Sequence, residues 1–153
     1  MRREDKQIKD KTIIESVMKE AIVCRIGLSE DNIPYVIPMN FGFKDNYLYL
    51  HSANKGKKID ILRKNSRICF EVDIKHEIVK SEMSCNWSMK YYSVIGFGRA
   101  YLVNSFDEKR VALDIIAEKY SGKASLKYPD SEINKIEIIK VEIETMTGKK
   151  SGY

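Results

Sequence analysis

Ile13, Ile14, Val17, Met18 and Ala21 recur at three- and four-residue spacing behind Asp10, which predicts a helix capped by that aspartate and buried along one side. Residues 22–28 (IVCRIGL) read as an apolar strand and 29–32 (SEDN) as a turn. A second strand follows over 33–43 (IPYVIPMNFGF), where Pro34 and Pro38 need nitrogens that face away from the ladder, or bulges. KDN (44–46) turns the chain into the strand 47–52 (YLYLHS). Next comes a short helix with Ile59, Ile61 and Leu62 on its apolar side, ended by Asn65-Ser66, and then the strand 67–73 (RICFEVD).

Residues 74–90 are polar and follow neither period, although SCNWSM (84–89) carries the one Trp. A long strand is expected over 91–103, with Gly96 and Gly98 allowing a bend or a close backbone approach. Ser105 and Glu108 have capping-box spacing and start a helix to about Tyr120, with Val111, Ala112, Ile115 and Ile116 on its buried face. After a loop containing Pro129, residues 135–146 alternate, slip phase at Ile138-Ile139 and alternate again, as a bulged strand would. About six strands and three helices joined by short turns predict a chain that is mainly β, a six-stranded antiparallel barrel with peripheral helices. We read 1–153 as one domain, with no repeat and no linker.

Composition narrows the class. With 43% apolar and 32% charged residues the chain suits a globular protein rather than a disordered one. No apolar run is long enough for a membrane span, and the charged start MRREDKQIKDK is not a signal peptide. Cys24, Cys69 and Cys85 are odd in number, widely spaced and without a C-x-x-C pair. That argues for a reducing cytoplasm and against a disulfide framework or a zinc site. The net charge of +5 favours anionic partners only weakly, because the basic residues are spread along the chain.

One place concentrates them. In LYLHSANKGKKIDILRKN (48–65) a strand hands over to a helix through a glycine flanked by lysines. The first N–H groups of a helix have no intrahelical partner, and the helix dipole favours negative charge there. Gly56 lets the backbone approach a ligand, Lys57 and Lys58 supply charged donors, and Arg63 lies further along the same helix. A phosphate fits this arrangement; a solvated lysine run is the plainer alternative. Lysines at a helix start oppose the dipole by a few tenths of a kcal/mol each unless an anion is present.

IPYVIPMNF, LYLHSANKGKKIDIL, NSRICFEVD and YYSVIGFGRAYLV, in this order and spacing, resemble the FMN-binding split-barrel proteins. Among these the chain is most similar to the nitroimidazole-resistance group, relatives of pyridoxamine 5′-phosphate oxidase. The similarity runs from about residue 20 to the end and includes TGK (147–149). Gly96-x-Gly98 lacks the third glycine of a dinucleotide fingerprint and adds nothing to it. The resemblance implies a split barrel that forms a homodimer and holds flavin mononucleotide (FMN) at the subunit interface. It assigns Lys57 and Lys58 to the FMN phosphate, and His51 and Ser52 to the strand end along the ribityl chain. Pro38, Met39 and Asn40 are assigned to the strand beside the isoalloxazine ring, and Tyr92 and Ser93 to the later strand that reaches the flavin. An arginine is common in that family where Lys57 stands here, so a bidentate phosphate contact is not expected.

Each residue also has a simpler role open to it. His51 could be a satisfied strand histidine, Asn40 a turn former, Met39 core, and Tyr91 and Tyr92 ordinary strand aromatics. Cys24 and Cys69 read as inert core thiols, Cys85 as a loop thiol without a histidine nearby in sequence, and His76 as solvent-facing. Two histidines and scattered acids form no metal-ligand pattern. The leading expectation is an FMN-dependent oxidoreductase acting on a small planar or nitroaromatic molecule, with Trp87 or Tyr92 near the acceptor. The rival is a non-catalytic barrel that carries flavin or haem. A nucleic-acid-binding barrel is a third reading, set back because the lysines cluster at one helix start rather than along a groove.

Overall fold

The computed structural model describes residues 3–123 and 127–153. A 3-10 turn at Glu4–Lys6 leads into a two-residue strand, β1 (Gln7–Ile8), and helix α1 (Lys11–Glu20). The Asp10 carboxylate accepts from the Thr12 N–H at 2.8 Å, so the predicted cap is real. Ile14, Val17, Met18 and Ala21 are buried as expected, while Ile13, expected on the same side, is exposed. Strands β2 (Cys24–Glu30) and β3 (Ile33–Met39) form a hairpin, and β4 (Gly42–Lys44) and β5 (Tyr47–Ala53) form another. Both turns are Asp-Asn pairs with positive φ, at Asp31-Asn32 and Asp45-Asn46. Two successive left-handed residues match the twist of the strands they join, which is why SEDN and KDN close tight hairpins.

Helix α2 (Lys57–Lys64) buries Ile59, Ile61 and Leu62. Strands β6 (Arg67–Val79) and β7 (Ser88–Val103) then form a long hairpin, followed by α3 (Phe106–Ser121), the short α4 (Asp130–Ile133) and β8 (Ile136–Ser151). Ser105 caps α3 through the Glu108 N–H, and Gly122 ends it in the left-handed region. On α3 the fully buried residues are Ala112, Leu113 and Ile116; Val111, expected inside, is exposed.

The strands make one antiparallel sheet in the order β3-β2-β6-β7-β8-β5-β4, with β1 beside β8. The mainly β reading with peripheral helices therefore holds, but the count of six does not: the sheet has eight strands and an open path. Two short strands make the difference. The expected strand 33–43 breaks after Met39 and resumes as β4, and the N-terminal segment adds β1. Pro34 and Pro38 lie on β3, the end of the path, where a strand tolerates residues without an N–H.

Two further expectations need correction. The unassigned stretch 74–90 is the outer part of the β6–β7 hairpin. Its alternation is hidden by an irregularity between Ile74 and Glu77, where Lys75 takes a positive φ, and by exposure of every residue from Lys75 to Ile78. The phase slip at Ile138-Ile139 is not a bulge. Both side chains are buried because β8 has a core on each face: Ile139 joins the main cluster with Phe41, Leu50 and Phe70, and Ile138 joins a second one with Val103, Leu113 and Ile133. The real register shift comes later, where Phe97 faces Thr145 but Gly98 faces Ile143.

At that shift the chains nearly touch. A Cβ on Gly98 would lie 2.2 Å from the Glu142 carbonyl oxygen, and one on Gly96 would lie 2.2 Å from Phe70 Cζ. The expected close approach is thus present at both glycines. Because the obstacle at Gly98 is backbone, Gly98→Ala should destabilise the fold by at least about 1–3 kcal/mol in urea unfolding, with the m-value unchanged. A stability within 0.5 kcal/mol of the parent, the roughly neutral range for surface changes, would contradict the packing.

Candidate functional site

Strand alternation decides what the end of β5 presents. Leu48, Leu50 and Ser52 point inward and are buried. Ser52 is therefore a polar residue in a core position, and it is satisfied there: the Lys58 ammonium donates to its hydroxyl oxygen at 2.9 Å, and its own O–H donates to the Ala53 carbonyl at 2.9 Å. Lys58 thus folds inward over a narrow pocket lined by Ile37, Met39, Leu50 and Leu62. Lys57, one residue earlier, places its ammonium 4.7 Å from the centre of the Tyr35 ring.

The start of α2 leaves its first backbone donors without a side-chain cap. Gly56 has φ +121°, a conformation closed to other residues without strain, and it offers no side-chain acceptor to the first N–H groups of α2. Nothing lies within 4 Å of where its Cβ would be. Open space, an uncapped helix start and two ammonium groups fit a phosphate-bearing ligand. Arg63, by contrast, turns to Asp60 at 3.9 Å on the exposed side of the helix.

His51 leaves β5 on the opposite face from Ser52, beside Ile138. The two residues assigned together to the strand end therefore serve different faces. The His51 Nδ1 is buried and has no hydrogen-bond partner, an unmet polar group next to the candidate site. Burial, and then the charge of Lys58, pull the His51 pKa below its ordinary value.

The remaining assigned residues are spread out. Pro38 faces Arg25 on the exposed side of β3, and Asn40 is exposed just beyond the strand. Tyr92 and Ser93 pair with Lys150 and Lys149 at one end of β8, whereas His51 pairs with Ile138 at the other. A single chain therefore does not bring Tyr92 and Ser93 to the lysines. Tyr92 stacks on Tyr153, centroids 4.9 Å apart, and lines a cleft of about 330 Å³ with Lys9, Ile74, Lys75 and Lys150. Trp87 is exposed at the hairpin tip, its indole N–H donating to the Ser81 carbonyl.

Among the cysteines, Cys24 is buried and its thiol is pushed up to about 12, as expected of an inert core residue. Cys69 is only partly buried and lies beside Phe97, so its placement in the core does not hold. Cys85 is exposed. His76 is exposed but not idle, with its Nε2 2.8 Å from Asp73. Tyr35 was missed by motif reading; its only sequence signal is that it shares strand parity with Ile37 and Met39.

The family model for pyridoxamine 5′-phosphate oxidase matches residues 10–150, and the chain belongs to that family. It is 36% identical to a Bacteroides thetaiotaomicron protein provisionally described as a 5-nitroimidazole antibiotic resistance protein, over 94% of this chain and 86% of that one, with a TM-score of 0.84. The flavocytochrome Anf3 of Azotobacter vinelandii has the same fold at 18% identity, covering 100% of this chain and 72% of that one (TM-score 0.83). So does an FAD and heme binding protein of Mycobacterium smegmatis at 19%, covering 97% and 74% (TM-score 0.84). No curated protein matches the chain significantly. Among the described residues no helix is long and apolar enough to cross a membrane.

The histidine gives a direct test. With a folded pKa below the unfolded value, the native state takes up fewer protons than the unfolded chain as pH falls through that window. His51 therefore costs the fold stability below about pH 6.5 and none well above it. In an NMR titration the His51 midpoint should lie below that of an unfolded-chain histidine, and Lys58→Met should move it upward. An unmoved midpoint would mean that Lys58 does not face it.

Proposed function

We propose that this protein binds FMN and acts as a flavin-dependent oxidoreductase on a small planar or nitroaromatic molecule. The observation that carries the reading is the uncapped start of α2, with open space beside Gly56 and with Lys57 and Lys58 held by neutral partners. Membership of the pyridoxamine 5′-phosphate oxidase family and the 36% identity to the resistance-type relative support it. Bound FMN would supply hydride or electron transfer.

The chain's own groups do the holding. Lys57 and Lys58 neutralise the phosphate, and the first N–H groups of α2 donate to its oxygens. Ser52 holds Lys58 in place until the anion arrives. Tyr35 does the same for Lys57 through its ring face. Met39 and the backbone around Asn40 flank the flavin ring. On this reading the working unit is a homodimer in which Tyr92 and Ser93 of one copy serve the site of the other, since one chain keeps them at opposite ends of β8 from His51. We assign the protein to the cytoplasm, where an exposed thiol such as Cys85 stays reduced.

The purified protein should be yellow, release FMN on denaturation and sediment at about twice its 17.7 kDa chain mass. Replacing both Lys57 and Lys58 with Ala should weaken FMN binding by about a hundredfold or more, while riboflavin, which lacks the phosphate, should lose little. Equal losses for the two ligands would displace the phosphate from this helix. A haem band in place of the flavin bands, or a flavin that reduced nicotinamide and nitroaromatics never turn over, would favour a carrier over an enzyme.

A further inference from the structure

Between the end of β3 at Met39 and the start of β4 at Gly42 the chain bends, with Asn40 exposed and Phe41 completely buried. Three contacts from the last turns of α3 hold that bend. The Phe41 N–H donates to the Tyr120 hydroxyl at 2.9 Å, and the same hydroxyl donates to the Ile22 carbonyl at 2.9 Å. The Lys119 ammonium lies 4.2 Å from the Phe41 ring centre while donating to the Met18 and Lys19 carbonyls, at 2.8 Å each. Gly42 lies flush against the helix, since a Cβ there would be 2.7 Å from Ile115 Cγ2.

We infer that Tyr120 is a positioning residue, whose hydroxyl sets the orientation of the Asn40–Phe41 peptide at the edge of the candidate flavin site. This rests on the FMN reading above and extends it to a residue far from the ligand groups in sequence. Apolar packing would fix the distance between α3 and the bend, but not the direction of the peptide plane. A hydrogen bond does fix it. In a planar trans peptide the N–H and the preceding C=O point opposite ways. Holding the Phe41 N–H on Tyr120 therefore aims the Asn40 carbonyl away from α3. A tyrosine hydroxyl is used here as both acceptor and donor, so phenylalanine removes the partner of the Phe41 N–H and of the exposed Ile22 carbonyl at once.

Tyr120→Phe is compared with Tyr128→Phe, which removes another tyrosine O–H bond to α3, at the Leu113 carbonyl and on the second core cluster. In the protein without added ligand, amide exchange at Phe41 should rise roughly tenfold or more in Tyr120→Phe and stay at the parent rate in Tyr128→Phe. FMN affinity should fall roughly tenfold in the first variant only, with a changed visible circular dichroism of the bound flavin. Parent-like exchange at Phe41, or parent-like affinity and dichroism in a Tyr120→Phe protein that is merely less stable, would overturn the inference. If the parent protein binds no FMN, the function reading fails. Exchange at Phe41 then decides alone whether Tyr120 sets the bend.

Discussion

Where β7 and β8 meet, the Glu142 carbonyl comes so close to Gly98 that no side chain fits between them. The register of these two long strands shifts at that contact, and the rest of the sheet is hung on them: β6 on the free side of β7, β5 on the free side of β8, and β1 on the far end of β8. A shift in that register would carry the end of β5 with it, because His51 and Ser52 are placed by their pairing with Ile138 and Glu137. The glycines of β7 carry no side chain to a candidate site, yet they set where the candidate residues at the end of β5 stand.

At the mouth of α2 the electrostatics are unbalanced in a consistent direction. Two ammonium groups stand at the positive end of a helix dipole, and their partners are neutral: a serine hydroxyl for Lys58 and an aromatic face for Lys57. Elsewhere several lysines and arginines meet carboxylates, as Arg25 meets Glu71 and Asp73 and Lys64 meets Glu30. Neutral partners fix the position of a cation without cancelling its charge, which leaves it available to an incoming anion. Burial lowers the His51 pKa, and the Lys58 charge from this same cluster adds to the shift.

Local features of the fold were legible in the sequence because local chemistry makes them. Asp10, Ser105 and the two Asp-Asn turns act within a few residues of themselves, and Ile59, Ile61 and Leu62 repeat at helical spacing. The lysines at the helix start were legible for the same reason. What escaped depends on contacts between distant segments. Ile138-Ile139 imitates a bulge because α3 and α4 cover the second face of β8. The outer half of the β6–β7 hairpin has no buried face to write a period into its sequence. No spacing rule links Tyr120 to Phe41, or Tyr35 to Lys57. The opposite facing of His51 and Ser52 follows from alternation alone, and motif matching passed over it because a motif records neighbours, not faces.

The spread of the assigned residues carries a consequence for the proposed function. Lysines at the start of α2 and the Tyr92-Ser93 pair belong to opposite ends of one long strand, and a ligand the size of a mononucleotide cannot bridge them within one chain. Either the two groups serve different ligands, or a second copy folds one end of its sheet onto the other's. The outer sheet surface suits the second arrangement. Ile95 and Phe97 are exposed on β7, Val36 is exposed on β3, and the strands between them present Gly27 and Cys69, so an apolar strip runs across the sheet. Burying such a strip against its own copy would remove apolar surface from water and bring opposite strand ends together in one step. By strand alternation Pro38 and Ser93 stand on that outer face with Val36 and Ile95, whereas Met39 and Tyr92 turn to the core, so such a contact would meet only part of the assigned set directly.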